Sequence, residues 1–259
     1  MAIITRVVGK NGNASRSEVE FIQGFLNQWL RANNKKTLMV DGDAGKNTKD
    51  AIVWFQSEIM HMMEPDGRVS PDNSTLNALI SLPGHPSPAI STSLPSPVAE
   101  GKREFSTEKI EWAARELGVE VAHIRAVAEV ETNNGIFLNP KSNNFRLKIL
   151  FERHKFYQYA DKKFNYHRDF PKISNPSASS TGGYGGEAYQ YVRLEVAMLL
   201  DRDAALKSTS WTAFQLMGEN YTKCGEYAGV QGFVNAMHES VEGTSKNLSS
   251  SGFVKITLF

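Results

Sequence analysis

Apolar positions recur every three to four residues in blocks separated by turn-forming residues, which predicts a chain built mainly of short helices. Phe21, Ile22, Phe25, Leu26 and Trp29 stand at helical spacing behind Ser15-Arg16-Ser17-Glu18, a sequence that reads as a capping box. Leu38-Met39-Val40 runs into an Asp41-Gly42 turn, and a second helix is predicted from Asn47 or Thr48, with Ala51, Ile52 and Phe55 on one side. Asp66-Gly67 repeats the turn chemistry ahead of a third helical segment, Ser74 to Ile80. Further on, Ser106 or Thr107 caps a helix through Ile110, Trp112, Ala113 and Leu117 that stops at Gly118, and another helix runs from about Val119 to Glu131. Between Thr132 and Lys148 two extended pieces flank the turn Asn139 to Asn144, a small β-hairpin. Lys148 to His154 reads as a short strand. Its alternation puts Leu150, Glu152 and His154 on one face and Ile149, Phe151 and Arg153 on the other. The expected fold is mainly α, a small three-helix domain followed by an α+β domain.

Residues 82–101 carry five of the ten prolines among Ser, Thr and Gly. Such a stretch lacks both backbone donors and core volume, and it predicts a semi-rigid linker. The expected organisation is a first domain at 1–81, a linker at 82–105 and a second domain at 106–259.

Composition narrows the function. With 41% hydrophobic residues in 259 the chain has material for a core, and a formal charge of +1 provides no basic field to recruit nucleic acid. Cys224 is the one cysteine, so neither a disulfide framework nor a zinc site of paired thiolates is available. No run of eighteen apolar residues occurs, which argues against stable membrane insertion, and Met1 to Arg6 has no signal-peptide pattern. The expectation is a monomer made in the cytoplasm, without cofactor or metal. An EF-hand counted from Asp41 would need Gly where Lys46 stands and Glu where Ile52 stands. A P-loop ending at Gly45-Lys46 would need Gly in place of Val40.

One carboxylate sits where solvent-facing charge does not belong. On a helical projection Val127, Glu131, Ile124 and Ala128 fall within about 100° of one another, while Arg125 and Glu129 lie opposite as an i,i+4 pair. Glu131 is therefore expected on the apolar face, in the last turn. Burial and the helix dipole there both disfavour its ionised form. A carboxyl protonated near neutral pH is what a general acid requires. The alternative is a buried glutamate satisfied by an arginine or by backbone donors.

Val40-Asp41-Gly42-Asp43-Ala44-Gly45-Lys46-Asn47-Thr48, continuing through Ala51-Ile52 to Phe55-Gln56, and then Asp66-Gly67-Arg68-Val69-Ser70-Pro71, resembles the three-helix peptidoglycan-binding domain found beside cell-wall hydrolases. The resemblance makes Asp41, Gly42, Gly45, Thr48, Phe55 and Gln56 candidate wall-binding positions. On their own chemistry, Asp41, Gly42, Gly45 and Thr48 build a turn and cap a helix. Residues 124–154 resemble a phage muramidase domain, with a V-E-S/T acid, a Gly-containing turn and Lys148-Ile149-Leu150-Phe151-Glu152-Arg153-His154. Ser210-Trp211-Thr212-Ala213-Phe214-Gln215-Leu216-Met217-Gly218 is similar to that family's S-W-G-x-F-Q-I-M-G stretch, although Thr212 replaces its glycine. The sequence leaves the family pattern near Val241.

These resemblances imply a modular endolysin of a phage of Gram-negative hosts. It would bind peptidoglycan and cleave the β-1,4 bond from N-acetylmuramic acid to N-acetylglucosamine, acting in the periplasm after holin-type release. They imply Glu131 as the catalytic acid and Glu152, His154, Tyr184, Gln215, Met217 and Asn220 as candidate groove residues. Glu152 is either a second carboxylate or half of a structural ion pair. His154 reads as a hydrogen-bonded support, since no second metal ligand stands at a useful spacing. Gln215 and Met217, two apart, would diverge on a helix. The glycine-rich stretch Thr181 to Gly186 reads as a loop beside the groove. With no second carboxylate, the sugar's acetamido oxygen could assist and leave 1,6-anhydro ends, as a lytic transglycosylase does. A non-catalytic wall-binding protein is the remaining alternative.

Overall fold

The computed structural model describes residues 3–83, 106–132, 137–139, 144–178, 185–211 and 215–239. The first helix, α1 (Arg16–Ala32), opens on the expected capping box. The Ser15 hydroxyl accepts from Glu18 N–H at 3.4 Å, and the Glu18 carboxylate accepts from Ser15 N–H at 2.6 Å. The same carboxylate also takes the Thr5 N–H at 2.6 Å and its hydroxyl at 2.9 Å. Burial alone would raise the Glu18 pKa, but these donors from Thr5 and Ser15 hold it down to about 2. Next come α2 (Lys46–Trp54), extended by a π-helical turn over Phe55–Ile59, and α3 (Ser74–Ile80). A two-residue strand β1 (Val8–Gly9) pairs antiparallel with β2 (Arg68–Val69) and closes the first unit.

The two Asp-Gly turns of this unit are held in the same way. Gln23, on α1, accepts from the N–H groups of Asp41 and Gly42, and its amide reaches Asp41 Oδ1, the Asp43 carbonyl and Thr48 Oγ1, all between 2.8 and 3.1 Å. Gln56, one helix on, accepts from Gly67 N–H at 2.8 Å. Its amide reaches Asp66 Oδ1, the Arg68 carbonyl and Thr75 Oγ1. Gly42 and Gly67 have φ of +73° and +69°, the left-handed region where a Cβ is strained. A helix with an inward glutamine, an Asp-Gly turn and a helix with an inward threonine is thus used twice in succession.

The second unit begins with α4 (Thr107–Leu117), capped by Ser106 and stopped by Gly118 at φ +65°. Then follows α5 (Val121–Thr132). These two helices meet through Ile110, Ala114 and Ile124, an apolar cluster of their own. β3 (Phe137–Asn139) and β4 (Asn144–Leu147) form the expected antiparallel hairpin, with Phe137 opposite Leu147. β5 (Leu150–Phe151) starts a sheet that the sequence did not reveal, with β6 (Thr209–Trp211) in the middle and β7 (Leu216–Met217) on the far side, all antiparallel. Around it stand α6 (Arg153–Tyr159), α7 (Tyr166–Asp169), α8 (Glu187–Leu200), α9 (Arg202–Lys207), α10 (Tyr221–Cys224) and α11 (Gly229–Glu239). Fully buried Trp211 anchors the sheet, donating to the Leu206 carbonyl at 3.2 Å and meeting the His238 ring edge-on at 5.4 Å. Gly218 passes so close to α9 that an added Cβ would stand 2.1 Å from the Leu206 carbonyl oxygen.

The two units share one apolar core. Phe25 of α1 packs edge-on against Phe170 at 5.0 Å, and a Cβ at Gly24 would come within 2.5 Å of the Asp169 carbonyl. Asp169, 1% exposed, receives Arg31 through two bonds of 2.6 and 3.0 Å and the Gln28 amide at 2.5 Å. Lys172 pairs with Glu20 at 2.5 Å. Leu82, at the expected start of the linker, is buried in this core, and 84–105 lie outside the described residues.

The expected strand over Lys148–His154 is cut short. The ladder ends where Glu152 N–H bonds the Ser208 carbonyl at 2.8 Å, and the Glu152 carbonyl already accepts from Phe156 at 3.0 Å. Arg153 and Phe156, three apart, are both buried, and that spacing suits a helix rather than a strand. His154 therefore projects from the first turn of α6.

Candidate active site

α5 carries Glu131 in its last turn. Ile124 is buried and Val127 half-buried, while Arg125 and Glu129 are exposed, so the inward row of this helix runs through Ile124 and Val127. The Glu131 side chain itself lies outside the described set, as do Tyr184 and most of the expected loop at 181–186. Residues 133–136, outside it too, lead to the β3–β4 hairpin.

Below the hairpin, the three-stranded sheet brings several candidates together. Gln215 sits at φ +50°, which turns its side chain back across the sheet. Its Oε1 accepts from the Ser210 hydroxyl at 2.8 Å, and its Nε2 reaches toward the Lys148 carbonyl at 3.4 Å. Met217 is the register partner of Ser210. The two candidates that would diverge on a helix thus converge on Ser210, because the segment is a turn running into a strand. Asn220 closes a 3₁₀ turn, Gly218–Asn220, immediately after β7.

Glu152 caps no N–H of α6 with its side chain. Its Oε2 instead lies 3.4 Å from His154 Nε2, and both side chains are about one quarter exposed, at 23% and 25%. His154 Nδ1 is enclosed and has no partner among the described residues. A carboxylate and an imidazole that both reach solvent form a polar rim at the start of α6.

Sequence reasoning missed the group that ties this rim to the Gln215–Asn220 segment. Glu219 is gripped by Lys155 Nζ at 2.8 and 3.1 Å and by the Tyr159 hydroxyl. Burial would raise the Glu219 pKa, yet the bonds from Lys155 and Tyr159 hold it below the usual range. The Tyr159 hydroxyl is pushed up to about 12, first by its bond to that carboxylate. The available signal was the i,i+4 spacing of Lys155 and Tyr159, which places both on one side of α6.

Competing chemistries find little support. Cys224 is buried, and burial pushes its thiol up to about 11, the opposite of an activated nucleophile. Among the described residues no three His, Cys, Asp or Glu side chains are grouped to hold a metal, and no helix is long and apolar enough to cross a membrane.

A mainly helical domain in which the helix that ends at Glu131-Thr132 leads to a two-stranded hairpin is a lysozyme-like α+β fold. The family model for N-acetylmuramidase matches residues 120–254, just over half of the chain, and the protein belongs to that family of glycoside hydrolases. The match begins at α5 and runs past Val241, where the sequence leaves the motif pattern. A crystal structure of Burkholderia AP3 phage endolysin aligns with 97% of this chain and 80% of its own, at 29% identity and a TM-score of 0.48. No curated protein matches.

Proposed function

We propose that the protein is a phage endolysin that binds peptidoglycan through residues 1–81 and hydrolyses the β-1,4 bond from N-acetylmuramic acid to N-acetylglucosamine. The observation that carries this reading is the N-acetylmuramidase match, which spans the Glu131 helix, the hairpin and the Gln215–Asn220 segment. Glu131 acts as general acid and protonates the leaving oxygen, and its place in the last turn of α5, where the helix dipole disfavours ionisation, supports this role. Gln215, Met217 and Asn220 line the sugar groove. Glu152, steadied by His154, is the nearest candidate for the second carboxylate, since none occurs between Thr132 and Lys148. The protein works as a monomer on periplasmic peptidoglycan at the end of infection, reaching it by holin-type release.

Mass spectrometry of Gram-negative sacculi digested by the wild type and by Glu131→Gln tests this. The expected result is reducing N-acetylmuramic ends from the wild type, and release at least about 1,000-fold slower from the variant. Anhydro ends would make it a lytic transglycosylase. Absence of products from both proteins, with both still pelleting on sacculi, would leave a wall-binding protein without this activity.

A further inference from the structure

On the face of α1 away from Asp169, a groove of about 750 Å³ opens between the 35–41 segment and α2, floored by Leu30. The positions that carry the wall-binding motif are largely spent on structure. Thr48, Phe55 and Gln56 are buried, and Asp41 is held by Gln23 and the Asp43 N–H. What faces the groove is different chemistry. Trp54 forms part of its wall, but the ammonium of Lys35 lies over the indole at 5.3 Å, so that face is not free to stack on a sugar ring. The Trp54 Nε1–H is enclosed without an acceptor among the described residues. Lys36 is exposed beside Lys35, and neither lysine pairs with a carboxylate among the described residues. The groove's third lysine, Lys46, is neutralised by Asp50. Of the lining carboxylates Asp50 is paired with Lys46 and Asp41 is held by Gln23, while Asp43 is exposed and has no ion pair among the described residues.

We propose that this groove binds the stem peptide of peptidoglycan rather than its glycan, with Lys35 and Lys36 taking the peptide's carboxylates and Asp43 its free ammonium group. The proposal rests on the reading of residues 1–81 as a wall-binding unit, and it assigns that unit's ligand class. Neutral N-acetylated sugars offer neither charge and need an open aromatic face, whereas a stem peptide containing a diamino acid offers both.

The full-length protein is titrated with free L-Ala–D-Glu–diaminopimelate–D-Ala, with the same peptide amidated at its carboxyls, and with chitotetraose. Binding is read by calorimetry and by tryptophan fluorescence. Binding of the free peptide is expected, weakened at least tenfold by amidation, by Lys35→Gln/Lys36→Gln and by 0.5 M salt. Sacculus pelleting should fall in the same variant while its fold, by circular dichroism, is unchanged. Binding of chitotetraose that survives in the lysine variant would overturn the proposal. So would pelleting without any binding of the peptide, which leaves the wall-binding reading standing. Failure of the wild type to pellet with sacculi at all would remove that reading as well.

Discussion

Gln23 and Gln56 show how one buried amide can fix a turn that its own sequence only suggests. Each supplies an acceptor to the N–H of a left-handed glycine and spreads its donors over a carboxylate, a carbonyl and a threonine hydroxyl. Gln56→Leu, close in size, should strand those groups and cost on the order of 2–3 kcal/mol, read as a lower urea midpoint with an unchanged slope. His238 supplies a pH test. Burial, only partly opposed by the Val234 carbonyl 2.9 Å away, holds its folded pKa below the ordinary 6.5. The unfolded chain thus binds a proton first on acidification. This residue's contribution is complete above about pH 6.5 and is lost as pH falls below that, until the buried ring itself protonates. His238→Phe should flatten the melting temperature between pH 7 and pH 5 relative to the wild type. At this scale the sequence was legible where a motif was local. Ser15 and Glu18 announced the capping box, whereas nothing near Gln23 pointed to a partner eighteen residues away.

Among the elements, helices were legible and the central sheet was not. α1 and α4 carry their caps and apolar spacing in one uninterrupted stretch, so period and boundary agree. β5, β6 and β7 have two or three residues each, too few for an alternation to fix them, and β5 meets β6 across some sixty positions of chain. Gln215 adds a left-handed backbone that no residue of its type signals. The alternation over Lys148–His154 overstates the strand, which is Leu150–Phe151 alone, and only Arg153 and Phe156 together disclose the helix that follows. The Lys155–Glu219–Tyr159 contact clamps α6 to the turn after β7. Glu219→Gln should leave stability within about 1 kcal/mol, because the pair is partly exposed. If the clamp sets the groove, turnover on sacculi should fall roughly 10- to 100-fold, with the melting temperature nearly unmoved.

For the whole molecule, the proline-rich stretch suggested two independent domains, while the amphipathic excess of α1 is spent on the junction between them. Long-range pairs such as Arg31–Asp169 leave no trace in spacing or composition, so the joint could not be read in advance. Asp169→Ala removes the acceptor for Arg31 and Gln28 and should destabilise the protein by on the order of 2–3 kcal/mol, splitting one cooperative thermal transition into two by calorimetry. The joint also changes what the connecting stretch contributes. Two modules on a flexible tether search for each other's target with an effective concentration set by tether length. Here α1 ties the unit that carries the outward groove to the core around Phe170 and Asp169, so that joint and not the connecting stretch sets how far the groove stands from the second unit. Lengthening 84–105 by ten Gly-Ser residues should therefore leave the spacing of cuts along a glycan strand unchanged in the wild type, and should begin to matter once Asp169 is gone.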